Sequence, residues 1–163
     1  MSPEASTSAA AAFAAGLPAT GSLLALDVSK RRIGLAGTDP ERRLVTALST
    51  FERRGLAADT AHLSAVVRER GVVALVLGLP LNMDGSSGPR AQASRAYARN
   101  LAQEATGLGL PVLLWDERWS TASAERDMIA QDFSRAKRAQ RIDSHAAAVI
   151  LQGAIDRLAG GVL

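Results

Sequence analysis

The sequence predicts an α/β domain on a mixed five-stranded sheet with helices on both faces, in the order β-β-β-α-β-α-β-α-α. Short apolar runs of strand length stand at 23–28, 72–77 and 112–115, each bounded by turn or loop residues. The first run is followed through short turns by 32–38 and 44–50, with no room for a helix between them. Apolar residues at helical spacing separate the later strands.

Residues 1–20 carry one charge, Glu4, among many Ala, Ser and Thr, and are expected to be a flexible tail outside the core. Leu23–Val28 and Arg32–Thr38 read as a hairpin, with Leu44–Thr50 as the third strand. Leu56, Leu63, Val66 and Val67 mark a helix over 57–70 that ends at Gly71. Val72–Leu77 is the fourth strand, and a loop from Gly78 to Pro89 leads to a helix striped by Ala93, Tyr97, Leu101 and Ala105. Pro89 suits its first turn. Val112–Trp115 is the fifth strand, followed by a helix from near Ser120 and a last helix over 143–158. No repeat or second core is visible, so residues 21–163 form one domain.

The chain has 163 residues and 47% hydrophobic content, enough for one buried core. It has no Cys, which excludes disulfides, thiol catalysis and Cys-ligated zinc. Any metal site must therefore use carboxylates or His62 and His145, and oxygen ligands favour Mg2+ or Mn2+. The net charge is only +3, but a pI near 10.2 and clustered Arg suggest a polyanionic partner. No apolar run is long enough to span a membrane. The Ala-rich start lacks the basic residues of a signal peptide, so the expected location is the cytoplasm. Leu17-Pro18-Ala19-Thr20-Gly21 spells a sortase-type sorting signal, but it stands at the wrong end of the chain to act as one.

Asp27 follows Leu23-Leu24-Ala25-Leu26, where a carboxylate is costly unless its charge is compensated. A cation would do that, and so would turn hydrogen bonds or an Arg. Glu117 follows the strand ending at Trp115, with an ion pair to Arg118 or a surface position as its alternatives. Asp143 precedes Ser144-His145-Ala146-Ala147, a place that also suits a helix N-cap. The carboxyl ends of neighbouring strands converge on one edge of such a sheet, so the three acids could meet there. Divalent ions held by them would serve in-line displacement at a phosphate.

The Gly78–Pro89 segment is too long and Gly-rich for a plain connector, and Ser86, Ser87, Arg90 and free amides at the following helix could bind a phosphate. It lacks the Gly-Lys-Ser/Thr ending of a P-loop. Asp84 reads as a turn residue before Gly85 more readily than as a fourth acid. Arg135, Lys137, Arg138 and Arg141 crowd before Asp143, as a solvated face or as phosphate contacts. Ser29, Lys30, Arg31 and Arg118 adjoin the acids and join the candidate nucleic-acid contacts. Trp119 is the candidate for stacking on a base, whereas Trp115 reads as core. His145 reads as a partly buried helix residue, and His62 has no assigned role.

The segments Leu24–Ala36, Gly78–Gly85, Asp116–Thr121 and Ile142–Ala147 together resemble the YqgF/RuvX family, in its motif order and spacing, over residues 22–158. The resemblance implies a ribonuclease H-like fold related to the Holliday-junction resolvase RuvC, with Asp27, Glu117 and Asp143 as the active-site acids. Its bacterial members are described as nucleases maturing the 5′ end of pre-16S ribosomal RNA. The family usually has Gly two residues after its first acid, where this chain has Ser29, so either the turn is modified or a hydroxyl is added beside the phosphate. The second acid follows the fifth strand instead of the fourth, so substrate preference is not carried over from resolvases.

The expected function is thus a Mg2+- or Mn2+-dependent endonuclease acting on pre-rRNA. Its rivals are a Holliday junction resolvase cutting branched DNA and a non-cleaving RNA-binding assembly factor. A resolvase implies a homodimer, whereas RNA processing is open to a monomer. An actin-like ATPase reading fails because such enzymes close two domains of this kind around a nucleotide, and the chain supplies one.

Overall fold

The computed structural model describes residues 7–119 and 135–160, with side chains placed for 10–118 and 143–159. In chain order the elements are α1 (Thr7–Ala15), β1 (Ser22–Val28), β2 (Arg32–Thr38), β3 (Val45–Glu52), α2 (Leu56–Arg70) and β4 (Val72–Leu79). There follow α3 (Pro89–Ala102), β5 (Val112–Asp116), a single 3-10 turn at Glu117–Trp119, and α4 (Arg135–Gly160). The five strands form one sheet in the order β3-β2-β1-β4-β5. β1, β2 and β3 pair antiparallel, and β1, β4 and β5 pair parallel. This is the mixed sheet the sequence predicts.

Alternation along the strands sends side chains to two cores. Leu24, Leu26, Leu75 and Leu77 pack with Leu63 of α2 and Tyr97 and Leu101 of α3. Leu23, Ala25, Val76 and Trp115 pack on the other face against Ala147, Ile150, Leu151 and Ala154 of α4. Each fully buried Leu or Ile contributes roughly 1.5–3 kcal/mol relative to exposure. α2 ends as expected at Gly71, whose φ of 63° and ψ of 43° make a left-handed cap, with its N–H donated to the Val67 carbonyl.

The expected boundaries shift at several places. β4 runs on through Gly78 and Leu79, because these pair with Trp115 and Asp116 of the parallel neighbour β5. α3 stops at Ala102, short of Ala105, and the chain folds back so that Leu108 and Gly109 donate to the Leu101 carbonyl. α4 begins at Arg135, well before Asp143, since Arg135-Ala136-Lys137-Arg138-Ala139-Gln140-Arg141 consists of strong helix formers. Within the expected N-terminal tail, residues 7–15 are a helix with Ala10 2% exposed, and Phe13 and Leu17 rest on the α4-side core. Ala is the best helix former, and Ala10 and Phe13, three residues apart on one face, with Leu17 just beyond the helix, dock the segment. Arg42 fastens the segment after it, donating to the carbonyls of Pro18 and Gly21 at 2.8 and 2.9 Å. The helix expected near Ser120 lies outside the described residues.

Candidate active site

Because β1, β4 and β5 run parallel, their carboxyl ends open on one edge of the sheet. Asp27 stands there at the end of β1, 5% exposed, on the same face as Leu23 and Ala25, which is the α4 face. Beside it, β4 presents Gly78. A Cβ at Gly78 would lie 2.6 Å from Glu117 Oε1 and 2.8 Å from Ile150 Cδ1. The Glu117 carboxylate therefore lies over β4, on the α4 face, in space left open by a missing side chain.

Asp143 reaches the same edge from the helix. It extends the buried stripe Ala147, Ile150 and Ala154 by one turn and is 7% exposed. Gly34, the cross-strand partner of Asp27, lets it approach: a Cβ at residue 34 would stand 2.2 Å from the carbonyl carbon and oxygen of Asp143. Gly34 thus separates the backbone of Asp143 from the strand of Asp27. As the ninth residue of α4, Asp143 is not the helix N-cap that the sequence allowed. Its Oδ2 instead accepts from Arg32 Nε at 3.1 Å.

Arg118, the alternative partner for Glu117, is bound elsewhere. Its Nε and Nη2 grip the buried Asp116 carboxylate at 2.6 to 3.1 Å, and its Nη1 donates to the Met83 carbonyl at 3.2 Å. The hydrogen bonds and charge of Asp116 raise the Arg118 pKa. Arg118 thereby ties the end of β5 to the loop after β4.

The donor set fits a hard divalent cation: three carboxylates, Asp27 and Asp143 buried, with a Gly78 cradle beside the third. Among the described residues, no three acidic or His side chains are grouped closely enough to hold one ion as they stand.

The proposed phosphate contacts divide into two groups. Lys30, Arg31 and Arg90 are exposed at the edge. Ser29, Ser86 and Ser87 have hydroxyls engaged locally. Ser29 Oγ donates to the Arg32 carbonyl and accepts from its N–H, at 2.9 and 3.1 Å, so the serine closes the hairpin turn and a glycine is not required. Ser86 Oγ donates to Asp84 at 2.6 Å, and with the Ser86 N–H it lowers the Asp84 pKa, which makes Asp84 a turn residue. Ser87 Oγ accepts from Arg95. The backbones of Arg135, Lys137, Arg138 and Arg141 lie in the first turns of α4; their side chains, and that of Trp119, lie outside the described residues. Trp115 is core, 4% exposed, and His145 is half-buried.

Sequence reading missed a cluster behind the hairpin turn. Asp59, in the first turn of α2, is 2% exposed and accepts from the Arg54 N–H at 2.9 Å and the Tyr97 hydroxyl at 3.3 Å. Arg53 Nε lies 3.8 Å from Asp59, its Nη1 donates to the Ser29 carbonyl at 2.8 Å, and its guanidinium carbon stands 5.0 Å from the Tyr97 ring centre. Only an acid in a helix's first turn hinted at this. Gly34 left a clearer signal, since glycine inside a strand often marks close backbone approach.

The mixed five-stranded sheet and its strand order are those of a ribonuclease H-like domain of the RuvC type. RuvC of T. thermophilus, solved in complex with a Holliday junction substrate, superposes with a TM-score of 0.51 over 83% of this chain and 93% of its own, at 14% identity. The chain belongs to the RuvX family, whose sequence profile, described as a Holliday junction resolvase, matches residues 21–157. Two relatives carry the name "Putative pre-16S rRNA nuclease". The Novosphingobium aromaticivorans protein is 63% identical over 86% of this chain and 88% of its own length. That of Sphingopyxis alaskensis is 58% identical over 93% and 97%.

Proposed function

We propose that this protein is a divalent-metal-dependent endonuclease that matures the 5′ end of pre-16S rRNA, with Asp27, Glu117 and Asp143 as its catalytic and metal-holding acids. The convergence of the three at one sheet edge, through Gly34 and Gly78, carries this reading. Mg2+ or Mn2+ bound there would supply Lewis-acid stabilisation of the phosphate and a more acidic water. Asp27 offers a carboxylate held by the strand. Glu117 would supply a second from the 3-10 turn, and Asp143, which pairs with Arg32, would supply a third. Lys30, Arg31 and Arg90, exposed at the edge, would neutralise flanking phosphates. The RNA substrate is inferred from the relatives' name.

The RuvX description and the likeness to RuvC favour a second reading, cleavage of branched DNA. Symmetric junction cutting needs two active sites related by a dyad and hence a homodimer, whereas RNA processing is served by one protomer. End-labelled precursor 16S RNA and a synthetic Holliday junction are incubated with the protein and Mg2+, Mn2+ or EDTA. Metal-dependent cutting of the RNA, lost in Asp27→Asn, is the expected result. Preference for the junction moves the assignment to a resolvase, and RNA binding without cleavage moves it to an assembly factor.

A further inference from the structure

At the end of β1 lies a cavity of about 280 Å³, and the mechanism above uses only Lys30 and Arg90 of its rim. Val28, Ala93 and Tyr97 supply a mainly apolar wall, and Lys30, Arg53 and Arg90 supply a cationic rim. No acidic side chain among the described residues lines it. Its size is just under that of small-molecule sites, which begin at roughly 300 Å³, and suits a single base rather than a helical segment.

Its position follows from strand alternation. Asp27 points to the α4 face and Val28 to the α2/α3 face, so acid and cavity lie on opposite sides of the same strand end. Asp27 and Val28 are consecutive, so a nucleic-acid strand crossing the edge with one phosphate at Asp27 would bring a neighbouring nucleotide to the cavity.

Arg53 is set in place before any ligand arrives, by the Ser29 carbonyl, the Asp59 carboxylate and the Tyr97 ring. A fixed planar guanidinium stacks on a base and loses little freedom in doing so. The wall of Val28, Ala93 and Tyr97 is apolar, with the Tyr97 hydroxyl turned to Asp59, and the polar groups of the lining are Ser29, Ser94 and the cations. The rim cations suit the phosphates on either side.

We propose that this cavity receives one unpaired nucleobase of the substrate strand, next to the phosphate held at the acids. The inference rests on the nucleic-acid reading of the site and narrows it: the strand must be single or splayed at the cut, since a paired base cannot leave its stack without cost.

The test is fluorescence anisotropy in EDTA, so that nothing is cut. The ligand is an end-labelled single-stranded RNA spanning the precursor–mature 16S junction, intact or with one abasic nucleotide placed at each position in turn. With the wild-type protein, one position should show binding weakened about tenfold and its neighbours should not. Ala93→Trp, which fills the cavity from an exposed helix position, should weaken binding of the intact strand by about the same factor and erase the abasic penalty. Ala57→Trp, on the exposed surface of α2, serves as the control for an added indole. A flat abasic scan, or an intact strand bound equally by wild type and Ala93→Trp, overturns the base subsite and leaves the nuclease reading standing. Failure of the wild-type protein to bind the strand overturns both.

Discussion

A methyl group at residue 34 would stand 2.2 Å from the backbone of Asp143, and one at residue 78 would meet the ends of the Glu117 and Ile150 side chains at 2.6 and 2.8 Å. The first clash is with helix backbone, which moves only as a whole, and the second is with flexible tips. Gly34→Ala should therefore cost stability at the upper end of the roughly 1–3 kcal/mol of overpacking, read by chemical denaturation. Gly78→Ala should cost about 1 kcal/mol or less but displace the Glu117 carboxylate and, on the proposed function, lower cleavage about 10²-fold. Equal stability losses with unchanged cleavage in Gly78→Ala would remove Glu117 from the site. Tyr97 gives a second test at this scale. Burial, and then the Asp59 charge, push its phenol well above the ordinary value, with Arg53 opposing. A raised folded pKa means that the neutral phenol's contribution is fully present below about pH 10 and is lost as pH rises further. Tyr97 is the only Tyr in the chain, so tyrosinate absorbance reports it alone. The absorbance should appear together with alkaline unfolding, and titration near pH 10 in the folded protein would contradict the buried Asp59 contact.

At the level of elements, the apolar strands and their turns were legible because buried strands are continuous apolar runs, and Gly71 marked the end of α2 as a left-handed cap does. Less legible were elements whose existence depends on a distant partner. α1 has the composition of a tail, and only docking against α4 and β5 gives its Ala stripe a use. The start of α4 was hidden because its basic residues read equally as loop or helix. Of the candidate site, Asp27 and Glu117 stood out by their place at strand ends, whereas Asp143, read as a helix start, is the ninth residue of α4. The Arg32–Asp143 pair, 111 residues apart, and the Asp59 cluster left no local trace, since tertiary packing alone creates them. Docking of α1 has a direct consequence: Ala10→Asp places a charge where Ala10 is 2% exposed, whereas Ala11→Asp lies on the exposed side. The first should lower stability by about 1–3 kcal/mol and the second by less than about 0.5 kcal/mol. Equal, negligible effects would mean that residues 7–15 do not rest on the core.

For the whole molecule, folding gathers acids from β1, the 3-10 turn after β5 and α4, so the site exists only in the native state and any ion held there is linked to global stability. A ligand bound to the folded chain alone, at about 100 times its Kd, stabilises it by about 2.7 kcal/mol, which at this chain length raises the Tm by several degrees. Mg2+ or Mn2+ should produce that shift in wild type, with EDTA reversing it. Arg32 gives Asp143 a cationic partner within the chain itself, so metal removal should lower the Tm without unfolding the protein at ambient temperature. Asp27→Asn keeps the size of the side chain and removes one ligand charge, so the shift should vanish while the metal-free Tm stays close to that of wild type. If the shift survives Asp27→Asn undiminished, the cation binds elsewhere on the chain, and the edge acids serve the architecture of the sheet instead of the chemistry proposed for them.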